Sequence, residues 1–95
     1  MSSAKVAAVG EEIVGLLRRF GHSDRAEWIA ERVALIAGLE IDEAIKNSAV
    51  RELHLVVLGM GGLMDIRLTA PSANEATLAR ADLDRLANQL YELTR

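Results

Sequence analysis

Ala76, Ala79, Leu83, Leu86, Leu90 and Leu93 recur at intervals of three, four, three, four and three residues. A strand, whose side chains alternate with a period of two, cannot put such a series on one side, whereas a helix of 3.6 residues per turn does so automatically. Pro71 blocks helix continuation from upstream, and Ser72 followed three residues later by Glu75 has the form of a capping box. The segment after Ser72 is therefore expected to be a helix that packs its leucine stripe into the domain's own core. The same heptad-like spacing leaves a homodimer seam as the alternative use of that stripe.

Three more helical patterns precede it. Val6, Val9, Ile13, Leu16 and Phe20 form one stripe, with Ser2 or Ser3 as cap and Gly21 where a helix usually stops. Gly10 and Gly15 interrupt this helix, either to permit close packing or merely weakening it. A second stripe runs through Ala26, Ile29, Val33 and Ile36 and stops at Gly38, and Asp24 with Glu27 resembles a capping box at its start. A third pattern begins near Asp42, with Ser48 as a later alternative, and carries Ile45, Ala49, Leu53 and Val56 or Val57. Its "LHLVVL" run has the composition of a buried strand, but no second strand of similar quality exists to satisfy its backbone, so a helix is expected.

Composition agrees. Of the 95 residues 51% are apolar, which excludes a disordered chain, and they are mainly Ala, Leu, Val and Ile with Phe20, Trp28 and Tyr91 as the only aromatics. The absence of cysteine rules out disulfides and thiolate metal sites and suits a reducing, cytoplasmic setting. Glu11 and Glu12 interrupt the N-terminal apolar stretch before a signal-peptide core develops, and no run approaches the roughly 20 residues of a membrane span. The expectation is one all-α domain over residues 1–95, a compact four-helix bundle with no membrane association.

Charge is distributed unevenly. Between residues 21 and 45, Arg25 and Arg32 stand against Asp24, Glu27, Glu31, Glu40, Asp42 and Glu43, a net charge of −4 within a chain of −3. Nucleic acid, which demands basic stripes, is an unsuitable partner for such a surface. A basic protein partner is suitable, while the simpler use of a charge run is a solvated helix face. Trp28 lies beside the second stripe, where a tryptophan serves either as the edge of a core or as a binding anchor.

The segment "LGMGGLMDIRL" at residues 58–68 invites a phosphate-loop reading, which its details refuse. Gly59 and Gly61 match the first half of a dinucleotide fingerprint, but the sixth position is Met64, and no Gly-Lys-Ser/Thr follows to make a P-loop. A turn explains more. Gly59 is expected to take the left-handed conformation that closes a helix, with Gly61 and Gly62 letting the chain fold back. Met60, Leu63, Ile66 and Leu68 are expected to tuck inward, and the Asp65 carboxylate to accept amides of the turn.

Gly59, Met60, Gly61, Leu63, Asp65 and Leu68 match in order a loop similar to "GGMGSLNDLVL" in an uncharacterised, mostly helical family of small bacterial proteins. Leu58, Gly62 and Met64 stand where that loop usually has glycine, serine and asparagine. "ANE" at residues 73–75 and "LYEL" at 90–93 also look like the family's last helix, and the resemblance spans roughly residues 24–93. Small acidic proteins of this kind often accompany interbacterial toxins as immunity proteins, so the resemblance implies a toxin-neutralising role.

Nothing in the sequence pairs a nucleophile with a base. Neither His22 nor His54 sits in a metal-ligand pattern, and the few serines are mostly accounted for as helix caps. The expectation is therefore a non-enzymatic protein without cofactor or metal, binding a cognate toxin through its acidic second helix and the following connection. The alternative is a homo-oligomeric structural or accessory module.

Overall fold

The computed structural model describes residues 2–59 and 61–95. Among them the chain forms four α-helices and no strand: α1 (Ser3–Arg19), α2 (Ser23–Ala37), α3 (Glu43–Leu58) and α4 (Ala73–Thr94). α1 packs on α2 and α4, and α3 also packs on α2 and α4, so the helices close a ring around one core. The bundle measures 43 × 22 × 21 Å. Its long dimension is set by the helices themselves, since 22 residues at about 1.5 Å each make a rod of about 33 Å.

Most of the stripe positions read from the sequence form the core, with three corrections: Val9 and Leu16 only pack on its edge, Leu17 taking the buried place on α1, and Ile45 is exposed. Val6, Ile13 and Leu17 of α1, Ile29 and Ile36 of α2, Leu53 and Val57 of α3, and Leu83 and Leu90 of α4 are all buried, as is Leu86. Each such side chain contributes about 1.5–3 kcal/mol by leaving water. Leu83, Leu86 and Leu90 of the α4 stripe are thus used inside the monomer, Leu93 of the same stripe is half-exposed, and Leu78, off the stripe, faces solvent. Gly10 lies where α1 crosses α2, and a Cβ there would collide with Val33 Cγ2. Gly15 faces open space, so it only weakens the helix.

Three of the helix starts carry side-chain caps. Ser2 accepts from the Lys5 amide, Asp42 from the Ala44 amide at 2.9 Å, and Ser72 from the Glu75 amide at 3.2 Å. α3 accordingly starts at Asp42, and Asn47 and Ser48 continue it. The capping box expected from Asp24 and Glu27 is not formed. α2 begins two residues earlier than that box requires, at Ser23, with His22 as its N-cap and no side-chain cap bond. The cause is tertiary: the His22 ring donates to the Arg67 carbonyl, and the Thr69 amide donates to Phe20 O at 2.9 Å. The α1–α2 turn is thereby fixed against the α3–α4 connection.

That connection is an ordered cap on the end of α3. The last turn of a helix has carbonyls without intrahelical partners. Here Gly59 N donates to Leu55 O, Leu63 N to Val56 O and Met64 N to Val57 O. The left-handed residue is Gly61, at φ 69°, and Gly59 is extended at φ −64°, which corrects the position expected for the closing conformation. Gly62 is required for space instead, because a Cβ there would run into the carbonyl oxygens of Val56 and Gly59. Asp65 accepts from the Gly61 amide at 3.3 Å. Leu63 and Leu68 are buried and Ile66 packs on the core, while Met60 lies outside the described residues. Arg80 of α4 holds the segment from outside, donating to Ile66 O at 2.7 Å and Leu63 O at 2.9 Å while paired with Asp84.

Candidate functional site

Asp24, Glu27 and Glu31 are spaced three and four residues apart on α2, so they share one face, and all three are exposed. Glu27 meets Arg18 of α1 at 3.4 Å, and Glu31 meets Arg32 at 3.3 Å. Both carboxylate side chains keep about two-thirds of their surface in water, so these contacts hold them only weakly. Glu40, Asp42 and Glu43 are exposed at the far end of α2, in the connection and the first turn of α3. The six carboxylates therefore form a row along α2 plus a cluster at one end of the bundle. Asp42 has a structural task as well, since its side chain caps α3.

Trp28 is half-buried beside that row. The Arg32 guanidinium lies over its ring, 4.0 Å from the centroid, and Arg32 Nη1 donates to Trp28 O. The same guanidinium crosses to α3, where its Nε donates to Glu52 at 2.7 Å. One arginine thus joins the indole of α2 to a carboxylate of α3. A stacked, partly buried cation of this kind adds about 0.5–2 kcal/mol.

The Arg32–Glu52 pair divides the groove between α2 and α3 into two depressions. Trp28, Leu55, Val56 and Gly59 line one, with Arg25 at its margin. Leu35, Ile45, Ser48 and Ala49 line the other, overlooked by Glu31. Leu55 is 62% exposed and Ile45 48%, so both present apolar surface to solvent. Reading the sequence alone misses this groove. Ile45 fits the buried stripe of its helix, and Leu55 belongs to a run that looks uniformly interior. The signal that separates them is helical phase: Ile45, Ser48, Glu52 and Leu55, at intervals of three, four and three, form a second stripe beside the buried Ala49, Leu53 and Val57.

The histidines have structural partners. The Thr94 hydroxyl donates its single proton to Leu90 O at 2.7 Å, so the 2.8 Å contact between His54 Nδ1 and Thr94 Oγ1 requires Nδ1 to donate. The ring also stacks on Tyr91 with centroids 4.5 Å apart. Among the described residues no group of three or more His, Asp or Glu is arranged to hold a metal, and no helix is long and apolar enough to cross a membrane. In comparison with protein-family models, curated proteins and solved structures, the chain matches none of them.

Proposed function

We propose that this protein is a small protein-binding inhibitor, an immunity protein that neutralises a cognate bacterial toxin by direct contact. The observation that carries the reading is the row of exposed carboxylates on α2, Asp24, Glu27 and Glu31, continued by Glu40, Asp42 and Glu43 at the end of the bundle. Against these six, residues 21–45 offer only Arg25 and Arg32. A surface with a net excess of one sign, which this row keeps even with Arg18 and Arg32 paired to Glu27 and Glu31, raises the encounter rate with a partner of the other sign, here a toxin with a basic face. Trp28 beside the row supplies a large, partly solvent-facing aromatic of the kind that anchors interfaces. The resemblance of the glycine loop to that of small bacterial proteins often found beside toxins points the same way.

The test is calorimetry of this protein against the purified product of the neighbouring gene, at low and high salt. Stoichiometric binding that weakens as salt rises supports the reading. No heat at micromolar concentrations of both proteins contradicts it. Use of the last helix as an oligomer seam has less support, because Leu83, Leu86 and Leu90 are already buried within one chain.

A further inference from the structure

We infer that the α2–α3 groove is the seat for an amphipathic helix of a partner protein, one with apolar anchors two turns apart and lysine or arginine between and above them. The inference deepens the inhibitor reading and rests on it for the partner being a protein. Trp28 and Leu35 mark the two depressions on the α2 wall, and seven residues of helix put them about 10 Å apart. A docked helix places residues i and i+7 at that same separation, so one leucine enters beside Trp28 and Leu55 and the next beside Leu35 and Ile45.

Charge commits the occupant further. The ridge between the depressions carries Glu52, which keeps 44% of its side-chain surface while accepting from Arg32. Glu31 stands next to it at 64%. A lysine or arginine at i+3 or i+4 of the incoming helix falls over this ridge and meets both carboxylates. Beyond Leu35 lie Glu40, Asp42 and Glu43, whereas Arg25 borders the opposite end beside Gly61. Among the described residues, the carboxylates without a cation in the groove's lining thus gather beyond Leu35, while Arg25 at the other end is balanced by Asp24 and Asp65. The basic end of the partner helix therefore lies towards the α2–α3 connection. An acidic helix or an uncharged apolar one does not satisfy this arrangement.

The sequence supplies its own reporter, since Trp28 is the one tryptophan. The probe is a synthetic helical peptide with leucines at i and i+7, lysines at the intervening and flanking positions, and no aromatic residue, titrated into the full protein. The expected result is a saturable blue shift of the Trp28 emission, weakened at least tenfold by Leu55→Glu and by Ile45→Glu. Both positions are exposed, and thermal melts verify folding; if Leu55→Glu melts early, Leu55→Ser replaces it. Leu78→Glu, at an exposed site of α4 elsewhere on the bundle, is expected to leave the titration unchanged. A scrambled peptide of the same composition, or one with glutamate for lysine, is expected not to saturate. Equal binding by the scrambled peptide, equal loss with Leu78→Glu, or no saturable shift with any peptide overturns the groove assignment. Full toxin protection by the Leu55→Glu protein overturns the groove but leaves the inhibitor reading standing. If the wild type gives no protection, the inhibitor reading fails, and the peptide titration still decides whether the groove binds.

Discussion

The guanidinium of Arg32 covers the ring of Trp28 at 4.0 Å and continues to Glu52 of the neighbouring helix at 2.7 Å. Arg32, the residue that follows Glu31 at the end of the α2 acidic row, thus covers the only indole and ties α2 to α3. Removing it with Arg32→Ala is expected to red-shift the tryptophan emission and increase its quenching by acrylamide. The stability cost should be about 1 kcal/mol, because the pair is partly solvent-exposed. Unchanged emission would mean that the stacked geometry does not persist in solution.

The glycines separate by mechanism. Gly62→Ala is expected to destabilise by about 2 kcal/mol or more, since its Cβ meets the carbonyls of Val56 and Gly59 and would disturb the cap on α3. Gly61→Ala should cost about 1 kcal/mol through its left-handed φ alone, the nearest obstacle to a Cβ being 3.9 Å away. Gly15→Ala, in an exposed helix interior with nothing within 4 Å, should stabilise by about 0.5–1 kcal/mol. Urea denaturation of the three variants ranks them; a stabilised Gly62→Ala would refute the steric account.

These glycines also mark how far the sequence could be read. All four helices, most of their stripe positions, the start of α3 near Asp42 and the cap at Ser72 were legible, because periodicity and capping are local properties, whereas the spacing alone puts Leu16 inward in place of Leu17. Gly59 and Gly61 could not be told apart that way, because the closing turn is set by Leu63 and Met64 reaching back seven residues to α3 carbonyls. The missing capping box at Asp24 has a similar origin, the docking of His22 on Arg67 across the fold. The acidic residues were legible as a charge run, but the α2–α3 groove beside them requires two helix faces to meet, and neither face announces its partner.

The α4 stripe gives a further prediction. Leu83 and Leu90 are fully buried and Leu86 nearly so, so Leu90→Ala should cost about 2–5 kcal/mol by leaving a cavity. Leu86→Glu should unfold the chain rather than release a folded monomer. A Leu86→Glu protein that keeps its helical circular dichroism and cooperative melt, while a wild-type dimer dissociates, would transfer the stripe from the core to a seam.

Charge substitutions must respect the second task of Asp42. Glu27→Lys and Glu31→Lys are expected to slow association with a basic partner much more than they speed dissociation, and added salt should slow the wild type likewise. Asp42→Lys would also remove the α3 cap at a cost of about 1 kcal/mol, whereas Asp42→Asn removes the charge and keeps the cap. Stopped-flow association rates, paired with melts of each free variant, separate steering from unfolding. Equal association rates across the series would show that the carboxylate row is only a solvated helix face.

Growth of cells expressing the product of the adjacent gene, with and without this protein, tests the central claim most directly. If the protein is an inhibitor acting by direct contact, the neighbouring product arrests growth, and co-expression of the wild type restores it. Co-expression of a folded Glu27→Lys, Glu31→Lys double variant should restore it less. A neighbouring product that is harmless, or a toxic one against which the wild type gives no protection, would contradict the account.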